Sequence, residues 1–246
     1  MSFYSKLSGN YWRFGFKSRL YDWLTPEAYS YALERALEHV PVKERTVWFD
    51  IGCGSGIALP FLKERLVSGE RYIGADILES GLHSARIKAK AIDIGDCSSF
   101  FRSDLSDGVP LRHESVDVAL AYFSIYTIQD SQKRKRLLGN IKKALRPGGK
   151  LILVCPSRGY DARRIIRSSE VLLERRRDSF VVWLKTRLIY PLTWMFGLKF
   201  IEHQLSSGRW KAYSLDELTD EIRSAGFSIK LTESVYAQSA FLVIAE

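Results

Sequence analysis

The sequence predicts an α/β fold: one open, mostly parallel sheet of seven strands with helices on both faces, an antiparallel last strand, and a helical insertion after the fifth strand. Three observations lead there. From residue 46 onward, short apolar runs alternate with longer stretches of helical periodicity, the order that builds a parallel sheet from strand-helix-strand units. A glycine-rich turn joins the first of these runs to its helix. The alternation breaks once, between 157 and 210, where the chain becomes basic and aromatic before a last helix and two apolar runs.

Each element follows in order. Residues 1–24 interleave Tyr4, Tyr11, Trp12, Phe14, Phe16, Tyr21 and Trp23 with Lys6, Arg13, Lys17 and Arg19, and read as a docking arm or lid. Thr25-Pro26-Glu27 fits a helix start, a capping hydroxyl followed by proline at the first helical position. Tyr29, Leu33, Ala36 and Leu37 carry its apolar face toward Pro41. Strand one is Thr46 to Asp50, with its helix from Ile57 to Leu66; strand two is Arg71 to Asp76, with a helix near Ser80 to Lys90. Strand three is Ser99 to Arg102 and strand four Val116 to Tyr122. An amphipathic helix spans Ser131 to Leu145, and Pro147-Gly148-Gly149 turns the chain into strand five, Lys150 to Cys155. Ser214-Leu215-Asp216-Glu217 matches a capping box, and Gly226 ends that helix. Phe227 to Leu231 and Tyr236 to Ala245 are close enough in sequence to pair antiparallel. The chain reads as one domain: an arm and helix (1–45), a core (46–156 and 211–246) and a basic helical lid (157–210).

With 246 residues, 46% of them hydrophobic, the chain can bury a full core without cross-links. Cys53, Cys97 and Cys155 are odd in number and lack metal-ligand spacing, which speaks against a disulfide framework or a zinc site and for a reducing compartment. The first residues lack the apolar core of a signal peptide, and no stretch reaches the uncharged length that spans a bilayer. The expectation is a cytoplasmic protein, soluble or peripherally bound to membrane. The net charge of +9 is concentrated: Ser157 to Lys211 holds twelve Lys/Arg against five Asp/Glu. Such a balance favours anionic partners.

The segment that carries chemistry is Phe49-Asp50-Ile51-Gly52-Cys53-Gly54-Ser55-Gly56, placed where strand one meets its helix. Glycines there allow a tight turn and a close backbone approach to a ligand, with helix-terminal N–H groups aimed at it. The pattern is an acid followed by G-x-G-x-G, not the G-x-G-x-x-G of a dinucleotide-binding dehydrogenase. The segment resembles the cofactor loop of class I S-adenosylmethionine-dependent methyltransferases, whose Rossmann-like core fits the strand order above. Further stretches resemble the same family: Ile73-Gly74-Ala75-Asp76-Ile77, Ser103-Asp104-Leu105, Val109 to Asp117, and Leu145 to Lys150.

The resemblance implies an enzyme that binds S-adenosyl-L-methionine and releases S-adenosyl-L-homocysteine. It implies that Asp50, Gly52, Cys53, Gly54 and Gly56 cradle the methionine portion, with Cys53 present for its small size. It further implies that Asp76 takes the ribose hydroxyls, that Ile77 flanks the adenine, and that Asp104 beside Leu105 lies near the adenine amino group. Tyr122, Phe123 and Tyr126 follow strand four, where the family contacts cofactor or acceptor; for Tyr122 both pocket lining and core packing stay open. A sulfonium is already an activated donor, so alignment and exclusion of water suffice and no dedicated nucleophile is required. No catalytic residue and no metal ligand is assigned: His113 and His203 could serve as bases, yet a lone histidine is more often a structural or solvated group.

The expected acceptor is a small molecule, hydrophobic or lipid-like. Ala121-Tyr122-Phe123-Ser124-Ile125-Tyr126 stands where the nucleic-acid amino-methylating branch carries Asn/Asp-Pro-Pro-Tyr/Phe, which lowers a nucleobase reading. The insertion bears Arg163, Arg164, Arg167 and Arg175-Arg176-Arg177 ahead of an apolar, Trp-containing run from Phe180 to Phe196. It reads as a lid, or as a lid whose 163–200 stretch also touches an anionic membrane. Nucleic-acid binding through the same arginines is the third reading.

Overall fold

The computed structural model describes residues 24–41, 45–176 and 179–246. The aromatic arm of residues 1–23 lies outside them, as does Arg177 of the arginine cluster. The elements are α1 (Glu27–Glu38), β1 (Val47–Ile51), α2 (Leu59–Val67), β2 (Arg71–Asp76), α3 (Glu79–Ala91), β3 (Ser98–Arg102), β4 (Val116–Tyr122), α4 (Ser131–Ala144) and β5 (Leu145–Pro156). They continue through α5 (Ala162–Arg176), α6 (Ser179–Leu184), α7 (Tyr190–Leu192), α8 (Lys199–Ser206), α9 (Leu215–Ser224), β6 (Ile229–Val235) and β7 (Ala240–Ala245). Two π-helical stretches, Lys185–Ile189 and Thr193–Leu198, join α6, α7 and α8.

The seven strands form one sheet in the order β3-β2-β1-β4-β5-β7-β6. The first five are mutually parallel, and β7 runs antiparallel to both β5 and β6. This is a Rossmann-like arrangement. Side-chain alternation sends Trp48, Tyr72, Val118 and Leu120 to one face, against α1, α2, α3 and α5. It sends Phe49, Ile51, Ala119 and Ala121 to the other, against α4 and α9. With both faces covered, the central strands are mainly apolar, as buried parallel strands require. Strand order reverses between β1 and β4, and at such a point the loops leaving the two carboxyl ends part and leave a crevice.

Several boundaries differ from those the sequence predicts, each for a local reason. Pro26, not Thr25, is the cap residue of α1 and supplies no side-chain cap. The free N–H of Ala28 is taken instead by Ser169 Oγ of α5 at 3.1 Å. Helix α2 starts at Leu59 instead of Ile57, because the preceding residues are held in turns, with Gly56 N–H donating to Cys53 O at 2.9 Å. Strand β5 starts at Leu145, five residues early, since Leu145 pairs with Val116 before a bulge re-registers Lys150 on Val118. The terminal hairpin is displaced as well: the runs at 227 and 236 become strands at Ile229 and Ala240, separated by Tyr236, Ala237 and Gln238, all left-handed. The capping box at Ser214 forms as expected, Glu217 N–H donating to Ser214 Oγ at 3.2 Å and Ser214 N–H to Glu217 Oε2 at 3.0 Å. Pro191 sits at the start of α7 within an unbroken helical path.

Candidate active site

A cleft of about 570 Å³ opens at the β1/β4 reversal, under the carboxyl ends of β1, β2 and β4. Its floor is the glycine turn. Gly52, Gly54 and Gly56 all have φ between +51° and +74°, a region that L side chains enter at a cost. Gly52 is further constrained by contact, since a Cβ there would stand 2.6 Å from Ser124 Cβ on the loop after β4. The turn is tied to β2 by Gly52 N–H and Cys53 N–H, which both donate to Ala75 O, at 2.8 and 3.0 Å.

Two carboxylates lie beneath and beside this turn. Asp50, at the end of β1, is buried and accepts from Tyr72 Oη at 2.5 Å. Burial pushes its carboxyl up to about 7, helped by the charge of Asp76 and opposed by the tyrosine hydrogen bond. Asp76, at the end of β2, accepts Leu78 N–H on Oδ1 at 2.8 Å and Gly54 N–H on Oδ2 at 2.9 Å. Burial raises it too, against the pull of those backbone donors. Among the described residues neither carboxylate has a cation within ion-pair distance. Two buried acids without a counter-charge among the described residues make a site suited to a ligand carrying both cationic and hydroxyl groups.

The far wall is aromatic. Phe123 follows β4 with φ +48°, a strained value for a side chain of its size, fixed by its N–H to Val154 O at 3.0 Å. Its ring stacks on Tyr29 of α1 at 5.2 Å, and Tyr122 meets Tyr29 edge-on at 4.7 Å. The Tyr122 hydroxyl donates to Tyr29 O at 2.5 Å. At the rim, Asp130 caps α4 through Gln132 N–H and Lys133 N–H, and Lys133 Nζ reaches across to Ser106 Oγ at 3.4 Å and Asp107 Oδ1 at 3.7 Å.

Of the residues expected from sequence, Asp50, Gly52, Cys53, Gly54, Asp76, Ile77, Asp104, Leu105 and Tyr122 line this one cleft. Ile77 is half exposed, as a face awaiting a flat partner would be, and Asp104 is exposed at the rim, its Oδ1 accepting Ser106 N–H at 3.0 Å. Gly56 is absent from the lining; a Cβ there would strike Leu59 Cδ1 at 2.5 Å and Ala85 at 3.1 Å, so its observed duty is to let α2 and α3 close on the turn. The Cys53 thiol is buried and pushed well above its ordinary range by burial and by Asp50, which leaves it inert. Sequence reasoning missed Tyr29, Tyr72 and two serines. Ser55 and Ser124 line the cleft with buried hydroxyls that have no hydrogen-bond partner among the described residues. Their signal was present only for Ser55, inside the glycine turn; Ser124 and Tyr29 reach the site through tertiary packing.

The residues present fit S-adenosylmethionine: among the described residues, buried hydroxyls at Ser55 and Ser124 without a partner, carboxylates at Asp50 and Asp76 without a cation, and a turn that has no room for a Cβ at Gly52. Comparison with known proteins agrees. The sequence profile of a methyltransferase-domain family matches residues 49–153. The mRNA cap guanine-N(7) methyltransferase of Schizosaccharomyces pombe is 30% identical over 117 residues, covering 44% of this chain and 31% of that protein. The carboxy-S-adenosyl-L-methionine synthase of Helicobacter hepaticus is 31% identical over 124 residues, covering 50% of this chain and 47% of that protein. The chain thus spans less than half the length of these curated relatives. Among solved structures, an S-adenosylmethionine-dependent methyltransferase from Aquifex aeolicus superposes with a TM-score of 0.57 at 17% identity, over 87% of this chain and 88% of that one. A structure of the Haloferax volcanii Trm112 methyltransferase activator in complex with a methyltransferase gives 0.60 at 18% identity, over 89% of each chain. Residues 49–153 thus match a methyltransferase domain, and the chain shares the Rossmann-like fold of these methyltransferase structures.

Proposed function

We propose that the chain transfers the methyl group of S-adenosylmethionine to a small, hydrophobic or lipid-like acceptor, releasing S-adenosylhomocysteine. The observation that carries this reading is the contrast between the two walls of the cleft. One side offers the carboxylates of Asp50 and Asp76 beside the glycine turn; the other offers Tyr29, Tyr122 and Phe123.

On this reading the turn from Gly52 to Gly54, with Asp50 below it, holds the methionine portion, and Cys53 contributes only its small size. Each Asp76 oxygen accepts one backbone N–H and keeps a lone pair for a ribose hydroxyl. Ile77 and Leu105 sandwich the adenine, and Asp104 accepts from its amino group. The aromatic wall faces the sulfonium, where ring faces stabilise a cation and exclude water. Transfer then needs only alignment: the acceptor lone pair forms a bond to the methyl carbon as the carbon-sulfur bond breaks, and the sulfonium becomes a neutral thioether. A base enters only for an acceptor that must lose a proton.

A second reading, methylation of RNA, is favoured by the cap-methylating relatives from Schizosaccharomyces pombe and Candida albicans and by the basic insertion. Two measurements separate the readings. Calorimetry should detect S-adenosylmethionine binding that is lost in Gly54→Arg. Labelled methyl groups added to a cell extract with the enzyme should then enter the organic-soluble fraction, where mass spectrometry identifies the product. Label recovered only in RNA would replace the first reading with the second; absence of donor binding would remove both.

A further inference from the structure

We propose that the helical insertion docks onto an anionic lipid surface through one stripe of its exposed side. From Ser179 to Lys199 the exposed positions recur every four residues: 179 and 180, 183, 187 and 188, 191 and 192, 195 and 196, then 199. The large apolar members are Phe180, Trp183, Leu188, Leu192, Met195 and Phe196, each between 45% and 69% exposed. A regular α-helix of 3.6 residues per turn would rotate such a series steadily off one face. The two π-helical stretches, Lys185–Ile189 and Thr193–Leu198, place more residues in each turn and keep the series in line. Here the unusual helix geometry has a visible product: a straight apolar band roughly 20 Å long.

The opposite side of this run is fastened to the protein. Tyr190, Thr193, Leu198 and Phe200 are buried, Thr193 Oγ1 donates to Leu24 O at 2.9 Å, and Lys185 Nζ pairs with Glu27 at 3.2 Å. The band is therefore the outer face of a docked element. Its charge selects the partner. Between Ser179 and Ile201 there is no Asp or Glu, whereas Arg187 and Lys199 are present in addition to Lys185, which Glu27 neutralises on the inner side. Arg187 and Lys199 lie on the exposed positions themselves, Lys199 Nζ sitting 4.4 Å from the centre of the Trp194 ring, with Arg163 at 6.0 Å from the same ring. An apolar band bordered by cations suits the boundary between acyl chains and acidic headgroups. A second copy of the chain would bring like charges together. RNA would leave Leu188, Leu192 and Met195 against hydrated phosphate. Among the described residues no helix is long and apolar enough to cross a membrane, so the contact lies in the interface plane.

This inference does not depend on the lipid-like acceptor. A protein that docks yet methylates only a water-soluble compound would support docking and sink that acceptor. The test is flotation of the full chain with vesicles of equal parts phosphatidylcholine and phosphatidylglycerol, and with phosphatidylcholine alone, at low and high salt. The chain should float with the anionic vesicles at low salt and lose much of that association at high salt or on the neutral ones. The triple variant Phe180→Ser, Trp183→Ser and Phe196→Ser should reduce vesicle partitioning by about tenfold or more while its affinity for S-adenosylmethionine is unchanged. The control pair Val67→Ser and Ile87→Ser, exposed on α2 and α3, should float like the parent. No flotation at low salt overturns the proposal, as does a triple variant that floats like the parent. Loss of a dimer, or of RNA binding, in the triple variant without any vesicle effect overturns it in favour of those partners.

Discussion

Replacing Asp50 with Asn should stabilise the ligand-free protein at neutral pH while weakening its hold on the methyl donor. The native carboxyl titrates at about 7 against an ordinary 3.8, because it is buried and faces Asp76. Between those values the folded protein keeps a proton that the unfolded chain has released, so stability falls as pH rises through this window and is level above it. The gap between 3.8 and about 7 corresponds, at about 1.4 kcal/mol per pH unit, to a loss on the order of 4 kcal/mol. Asparagine has no such titration, and its amide oxygen can still accept from Tyr72. Urea denaturation from pH 4.5 to 8 should therefore show a stability difference that grows with pH in favour of the variant, reaching a few kcal/mol near pH 8. The difference between the two proteins is the readout, because Asp130, Asp161 and Glu217 are held low by backbone N–H groups and act in the opposite sense at more acidic pH. Donor affinity of the parent should tighten as pH rises toward 7 and Asp50 ionises; that of the variant should be weak and level. Parallel stability curves, or a variant less stable than the parent at pH 8, would refute the reasoning.

Three further perturbations probe the same geometry. Gly52→Ala forces a Cβ to 2.6 Å from Ser124 Cβ at a φ of +74°, and should cost roughly 2 kcal/mol of stability and abolish donor binding by calorimetry. Adding Ser124→Gly to it should recover part of the stability, since contact but not backbone strain is relieved. Asp76→Ala leaves Gly54 N–H and Leu78 N–H without their acceptor; donor affinity should fall at least about tenfold, with a stability loss of about 1–3 kcal/mol. Arg134, buried and pairing with Glu221 at 2.7 Å, also donates to Ile128 O and Gln129 O at the cleft rim. Arg134→Ala should destabilise by about 3–5 kcal/mol in denaturant titration, because Glu221 and both carbonyls lose their partner.

The elements legible in the sequence are those whose cause is local. Strand β4 announces itself as a short apolar run and helix α9 through its capping box, and the turn from Asp50 to Gly56 through its acid-and-glycine spacing. What escaped detection depends on residues far apart in the chain. The start of α1 is capped by Ser169, 141 positions away, so Thr25 pointed one residue too early. Ser124 matters because it packs on Gly52, and Tyr29 because α1 folds back over β4. The insertion was readable as basic and apolar, yet its banded face arises from π-helical turns, which no periodicity of 3.6 anticipates.

The place of β7 has a consequence for how the molecule is made. It is the last strand in chain order, yet it lies between β5 and β6. During synthesis, β5 leaves the ribosome with an open apolar edge that stays unsatisfied until Ala240–Ala245 arrives, and β6 emerges before the neighbour it needs. The nascent polypeptide must shield that edge through the whole translation of the insertion, so supplying a chaperone should matter more to yield than any change in the finished core.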